Sequence, residues 1–235
     1  MLSSPPPTPP DHRYRGQLIA ERKAARRQQL IDGAIRVFGR DGFRAATVRS
    51  ICTEAGLTQR YLYESFDNTE QLFIAAFESI VLQLRDTVFR AVSVIAAEDA
   101  AAQLRAGLDA LFQLAENNPA AARVLMTEVL TVSREVEALS MQTLSGFVAM
   151  TRYWLMRDLA QPSPSPATLD MVATGLVGAT LHMARYWAHG EKAMSRSAVV
   201  EQALQLHLSA KTSLGCTNAK TAVAKSEVRP ETKSD

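Results

Sequence analysis

The sequence predicts an all-α protein, with a three-helix head near its N-terminal end followed by a larger helical body. Three observations carry that expectation. Apolar residues recur at spacings of three and four through most of the chain, no segment alternates with the period of a strand, and Gly, Pro, Asn, Asp and Ser punctuate the periodic runs where helices would stop. A chain of 235 residues can bury a sizeable core in one or two domains. With 47% hydrophobic residues it reads as globular.

Residues 1–12 are rich in Pro and Ser and read as a disordered lead-in. Basic residues then gather at Arg13, Arg15, Arg22, Lys23, Arg26 and Arg27. The first clear helical stripe is Leu30, Ile31, Ala34, Ile35, Val37 and Phe38, and Asp41-Gly42 ends it. Thr47 is placed to cap a short helix with Val48, Ile51, Cys52 and Ala55 inward, which Gly56 breaks. Thr58 is placed to cap the next helix, anchored by Leu62 and Phe66. A longer helix starts near Asp67 or Asn68, where Asn68 and Gln71 have the spacing of a capping box. Its stripe is Leu72, Phe73, Ala76, Phe77, Ile80, Val81 and Leu84. Further breaks fall near Glu98-Asp99, at Asn117-Asn118-Pro119, near Thr131–Ser133, across Gln161–Pro166, at Gly190 and beyond about Ser209.

A helix of about eight residues, a Gly-containing turn and a second short helix form a helix-turn-helix between about Thr47 and Phe66. In that motif the second helix lies in the major groove of DNA with its first residues at base edges. Leu62 and Phe66 sit four apart and face inward, which leaves Gln59, Arg60 and Tyr63 outside. Gln pairs with adenine, Arg with guanine, and a Tyr hydroxyl holds phosphate. Tyr61 has two readings, an apolar contact to a thymine methyl or stacking within the head. Charge is distributed to match: residues 1–66 hold eleven Lys and Arg against six Asp and Glu, the remainder fifteen against eighteen. A basic end joined to a mildly acidic remainder fits a polyanion at one end only.

The run from Gln28 to Phe77 resembles the DNA-binding head of the tetracycline-repressor (TetR) family. The residues that carry the likeness are the Ala34–Phe38 pattern, Gly42, Thr47, Ala55-Gly56, Leu62-Tyr63, Phe66 and the helix start that follows. The resemblance implies phosphate contacts at Thr47 and Tyr63, a base or phosphate contact at Arg49, and an exposed reading edge at Thr58, Gln59, Arg60 and Tyr61. The sequence departs from the family at Ser65, where many members have His or Tyr. It departs again at Thr69, where a Lys commonly meets phosphate. Thr69 keeps a hydroxyl donor at a helix N-terminus, but the lost charge shifts electrostatic attraction toward the basic arm. There Arg22, Lys23, Arg26 and Arg27 are expected to follow the minor groove or nearby phosphates. Arg13 and Arg15 fit that role and an ordinary solvated surface equally.

The resemblance further implies that the body binds a small effector and forms a homodimer through its last two long helices, Ala167–His189 and Ser195–Leu208. Gly175, Gly178 and Ala179 would permit close helix approach, and Leu176, Leu181, Val200, Leu204 and Leu208 supply apolar area to either a partner or the protomer's own core. Candidate pocket residues are Phe112, Met126, Phe147, Met150, Trp154, His182 and Tyr186, with Tyr153, Met183 and Trp187 beside them. Most Met and aromatic residues at helical spacing are packing, so the effector reads as mostly apolar with a few polar handles. The expected divisions are a disordered basic arm over 1–20, the helix-turn-helix domain over 21–68, the ligand-binding and dimerisation domain over 69–209, and a disordered tail over 210–235.

Other classes are disfavoured. His182 and His189 share a helix face without acidic or Cys partners at metal-ligand spacing. Cys52 belongs to an inward stripe, and Cys216 falls in the expected tail. No phosphate-cradling Gly loop, nucleophile elbow or paired-carboxylate pattern occurs, so neither an enzyme nor a resident cofactor is expected. Two cysteines without scaffold spacing, and a start lacking an apolar signal segment, fit a cytoplasmic protein without a membrane partner. The expectation is a homodimeric repressor that binds palindromic double-stranded DNA and is released by a small molecule. The rival is an all-α ligand- or protein-binding module without specific DNA binding.

Overall fold

The first helix shows how a packed stripe organises a longer element. The computed structural model describes residues 12–157, 159, 164–190 and 194–227, with side chains between Ile19 and Gly215. Helix α1 (His12–Asp41) buries every residue of the expected stripe from Leu30 to Phe38. It extends well before that stripe, so the expectation of disorder is corrected for residues 12–20, while residues 1–11 of the expected arm lie outside the described residues. The reason is propagation: a helix nucleated by packing over 30–41 extends through Ala, Glu, Lys, Arg and Gln with no proline and no new nucleation cost. Arg22, Lys23, Arg26 and Arg27 therefore stand on a helix, while the side chains of Arg13 and Arg15 lie outside the described residues. Gly42, with φ of 85°, ends α1 and donates its N–H to Phe38 O at 3.0 Å.

Helices α2 (Val48–Ala55) and α3 (Gln59–Tyr63) follow. Thr47 caps α2 reciprocally with Ser50: Ser50 N–H donates to Thr47 Oγ1 and Thr47 N–H to Ser50 Oγ, both at 3.0 Å. Gly56 turns the chain in the left-handed region at φ 66°, and Leu57 N–H closes the turn on Cys52 O at 3.0 Å. Thr58 stands at the N-cap of α3, but its side chain makes no capping bond there, contrary to expectation. Inward-facing Ile51, Cys52, Leu62 and Phe66 are buried as the periodicity requires, whereas Val48 and Ala55 are half-buried. Phe38, Phe43 and Phe73 form an aromatic cluster with centroids 5.2–5.6 Å apart.

Gly33 marks the close approach of α1 to α2. A Cβ there would lie 3.0 Å from Ala55 Cβ and 3.1 Å from its backbone nitrogen. Helix propensity alone favours Ala over Gly by about 1 kcal/mol, but Ala55 is held by the Gly56 cap and has little freedom to yield. Gly33→Ala is therefore expected to destabilise the head by roughly 1–3 kcal/mol through overpacking. Urea unfolding is the measurement, and a gain in stability would show that the propensity term wins.

Helix α4 (Thr69–Ser93) starts as anticipated: Asn68 Oδ1 accepts from Gln71 N–H at 2.8 Å. The reciprocal bond comes from Asp67 N–H to Gln71 Oε1 at 3.0 Å, one residue earlier than a strict capping box. Its stripe from Leu72 to Leu84 is buried. The fold divides into two units after Ala76, later along α4 than the expected division at residue 68.

The body continues with α5 (Ala100–Asn117), α6 (Pro119–Met126), a 3₁₀ turn (Glu128–Leu130), α7 (Arg134–Met156), α8 (Pro166–His189) and α9 (Arg196–Glu227). Asp99, Asn118, Ser133 and Ser165 each accept a backbone N–H at a helix start, and Pro119 and Pro166 occupy first-turn positions that need no donor. Part of the expected Gln161–Pro166 break lies outside the described residues. One core cluster joins Leu108 and Phe112 of α5, Ala184 and Trp187 of α8, and Val200, Ala203 and Leu204 of α9. A second joins Trp154 and Leu155 of α7, Leu169, Ala173 and Leu176 of α8, and Leu214 of α9. Helices α7 and α8 run antiparallel, with Arg152 pairing to Asp170 at 3.2 Å. Ion pairs Arg196–Asp109, Arg196–Glu116 and Arg105–Glu201 align α9 against α5.

Helix α9 passes the expected end near Ser209. Leu214 is buried in the second cluster, and Lys211 Nζ lies 4.8 Å over the Trp154 ring. These contacts anchor a segment whose low apolar content had suggested disorder, and Ala- and Lys-rich sequence extends it. The side chain of Cys216 lies outside the described residues. No described helix is long and apolar enough to cross a membrane, and the described residues hold no metal-ligating cluster.

Candidate nucleic-acid interface and effector cavity

The head presents its polar groups because Leu62 and Phe66 turn inward. Four-residue spacing puts both on one side of the short α3 segment, and Gln59, Arg60 and Tyr63 are consequently exposed. Arg60 is 83% exposed and its Nε donates to Glu64 Oε1 at 2.8 Å. That bond raises the guanidinium's pKa further and engages Nε. Tyr63 is 58% exposed, enough to offer its hydroxyl to a phosphate. Thr47 and Arg49 are exposed at the start of α2, and Thr58 is exposed before α3.

Of the two readings for Tyr61, the head takes the internal one: Arg26 lies 4.4 Å over its half-buried ring. Arg27 lies 4.8 Å over Phe66 in the same way. Both contacts tie the basic half of α1 to the α3 region. Arg22 and Lys23 remain exposed one turn earlier.

A polar cleft beside α2 gathers Arg40, Thr47, Arg49, Ser50, Thr53 and Glu54. The sequence reading missed Arg40 and Ser50; the Thr-x-x-Ser spacing was the available signal for Ser50. Arg36 Nε donates to Glu54 Oε1 at 2.7 Å and Arg40 Nη1 to Glu54 Oε2 at 3.2 Å. The hydrogen bonds from Arg36 and then Arg40 hold the Glu54 carboxyl below the usual carboxylate range. This network fastens α1 to α2 and fixes the cap that presents Thr47 and Arg49.

At the start of α4, Thr69 is half-buried, with Asp67 before it and Glu70 after it. Two acids beside the helix N-terminus oppose a phosphate there. Burial raises the pKa of the Cys52 thiol, as expected for a packing residue.

The body contains a cavity of about 790 Å³ with a mainly apolar wall. Of the candidates from sequence, Met126, Phe147, Met150, Tyr153, Trp154 and His182 line it. Phe112 does not: it is fully buried and packs edge-on against Trp187 at 5.8 Å. Met183 packs against that same cluster, and Tyr186 is 76% exposed away from the cavity. Both α5 and α8 turn one face to packing, which periodicity cannot distinguish from a cavity face. Polar wall residues not anticipated include Gln103, Ser140, Arg157, Arg185 and His207. His207 is 2% exposed; burial pushes its pKa down, and its Nδ1 lies 2.8 Å from Ala203 O.

Similarity to known proteins runs in the same direction. The family model for bacterial regulatory proteins of the tetR family matches residues 30–76. The transcriptional activator FasR of Mycolicibacterium smegmatis is 26% identical over 180 residues, 77% of this chain and 80% of FasR. The nicotine-responsive transcriptional repressor HdnoR of Paenarthrobacter nicotinovorans is 42% identical over 67 residues, 28% of this chain and 34% of HdnoR. Among solved structures, the regulator FadR from Bacillus subtilis in complex with stearoyl-CoA superposes with a TM-score of 0.68 at 19% identity, covering 78% of this chain and 98% of FadR. Residues 30–76 thus form a DNA-binding head of the tetR family of bacterial regulatory proteins, joined here to an all-helical body, and the relatives that share this head are regulators of transcription.

Proposed function

We propose that this protein is a homodimeric, effector-released repressor that reads a palindromic operator through α3. The observation that carries the reading is the exposure of Gln59, Arg60 and Tyr63 above buried Leu62 and Phe66. Gln59 and Arg60 read base edges, Arg49 reads a base or phosphate, and Thr47 and Tyr63 hold phosphate. Thr58 offers its uncapped hydroxyl beside them. Tyr61, stacked under Arg26, supports the helix instead. Thr69 is a weak phosphate site between its acids, and Arg22, Lys23, Arg26 and Arg27 supply the basic charge it lacks. The functional division is a DNA-binding head to about residue 76 and an effector-binding, dimerising body after it.

Dimerisation is supported by the outer face of α8. Met171 is 74% exposed and Gly175 has open space where a Cβ would stand, while Gly178 lies on the cavity wall. Leu176, Val200 and Leu204 instead serve the protomer's own core, and Leu181 and Leu208 pack against it. Two heads about one DNA turn apart, ~34 Å, would match two half-sites. The effector is a mostly apolar small molecule held in the cavity, favouring a head spacing that no longer fits the operator. The FadR complex with stearoyl-CoA supports a chain-like guest. Relatives include both an activator and a repressor, so the sign of regulation is tested separately by a promoter reporter.

The test is selection of genomic fragments by the purified protein at fixed salt. Enrichment of a palindrome supports the reading; failure to enrich any sequence, with or without cell extract, favours a module that no longer reads DNA. Tyr63→Phe is expected to weaken binding similarly across sequences. The slope of affinity against salt should stay nearly unchanged, because no charge is removed. A base-specific loss would contradict the phosphate role.

A further inference from the structure

The cavity in the body is lined along much of α7. Its wall follows α7 turn by turn from Ser140 to Arg157, roughly 25 Å of helix at ~1.5 Å per residue. A volume of about 790 Å³ lined over that length leaves room for an extended chain. Its middle is apolar, walled by Leu104 and Leu108 of α5 and Leu144, Phe147 and Met150 of α7.

One end is chemically distinct. Arg157, at the C-terminal end of α7, donates from Nη1 to Gln103 Oε1 at 2.8 Å and from Nη2 to Ala97 O. Both acceptors are neutral, and no described carboxylate pairs with this half-buried guanidinium. Arg105, Arg123, Arg152 and Arg196 of the body each have one, while Arg185 on the same wall is bonded to His182 instead. Trp154, one turn before Arg157, meets the buried His207 ring edge-on at 6.1 Å. With His207 Nδ1 engaged by Ala203 O, its Nε2 is the ring nitrogen left for the cavity. The fork of Arg157 is thus fixed by weak acceptors that an anionic oxygen would outcompete.

We propose that the effector is a linear amphiphile with an unbranched apolar chain and a carboxylate head, and that the head is seated on Arg157 at the Gln103–His207 end. This rests on the reading of the cavity as the effector site. The carboxylate takes the Arg157 N–H groups now directed at Gln103, and the chain runs along α7 toward Ser140. Arg185 and His182, bonded to one another at 3.2 Å, stand toward the opposite end, because α8 runs antiparallel to α7.

Isothermal titration of the full chain with submicellar tetradecanoate, its methyl ester and stearoyl-CoA tests this. The wild type is expected to bind the acid at least tenfold tighter than the ester. Arg157→Gln should bring the two within about twofold by weakening the acid, and Arg157→Lys should retain part of the preference. Arg185→Gln should leave the acid-to-ester ratio unchanged. Thermal melting of each variant identifies any that fails to fold, and Arg157→Lys then carries the comparison. Equal binding of acid and ester, a preference that survives Arg157→Gln or follows Arg185, tighter binding of the thioester than the acid, or no binding of any chain would each overturn the assignment. Operator binding measured in parallel separates the two readings. An Arg157-dependent acid preference that leaves DNA affinity unchanged removes the effector role and keeps the head-group site; acid and ester releasing DNA alike does the reverse.

Discussion

Arg60→Ala is expected to weaken operator binding roughly ten- to hundredfold and to flatten sequence preference at one base pair per half-site. The expectation follows from where the side chain is held. Glu64 takes Nε at 2.8 Å, which orients the guanidinium and leaves Nη1 and Nη2 to meet guanine O6 and N7 as a pair. The same acid stands near the phosphates and repels them, so it sharpens reading while lowering general affinity. Glu64→Gln should therefore raise affinity for nonspecific DNA and reduce discrimination at that base pair. Competition binding with single-base operator variants separates these effects. Arg60→Ala that weakens every sequence equally would make Arg60 a phosphate contact.

Phe38→Ala should cost about 3–5 kcal/mol, the usual range for emptying a buried aromatic site. Phe38 is fully buried and meets Phe43 at 5.6 Å and Phe73 at 5.2 Å. Its loss opens a space bordered by two rings that are themselves locked edge-on at 5.4 Å, so the site cannot easily collapse. Against a typical domain stability of roughly 5–15 kcal/mol, that loss would leave the head partly unfolded near physiological temperature. DNA binding should fall although Phe38 is not among the DNA-facing residues. Hydrogen exchange at the amides of α1–α3 is the direct measurement; unchanged protection there would show that the aromatic cluster is not what holds the head together. Phe38→Leu, which keeps most of the volume, should restore much of the protection.

The head was legible because its constraints are local. Leu62 and Phe66 four apart, Gly56 after an eight-residue helix and Thr47 before it each state a backbone requirement within one or two turns. The same locality explains what escaped notice in the head. Arg36 and Arg40 meet Glu54 across fourteen to eighteen positions, and Arg26 meets Tyr61 across a still longer separation. No period or spacing signals such a pair. The continuation of α1 before Glu21 and of α9 beyond Ser209 was misread for a related reason: weak apolar patterning measures packing, and helix propagation does not require it.

By itself, then, the sequence determined the all-helical class, the order of the helices, the helix-turn-helix and the outward residues of its second helix. Short-range sterics and hydrophobic period decide all of these. Tertiary structure decided which apolar residues face a cavity and which a core, sending Phe147 and Met150 to the cavity wall and Phe112 to the interior. It also decided that Gln103 and Arg157, distant in the chain, are hydrogen-bonded and share one apolar cavity wall with His207. That outcome depends on how α5, α7 and α9 are aligned by their ion pairs and buried rings, interactions between elements that no single helix encodes.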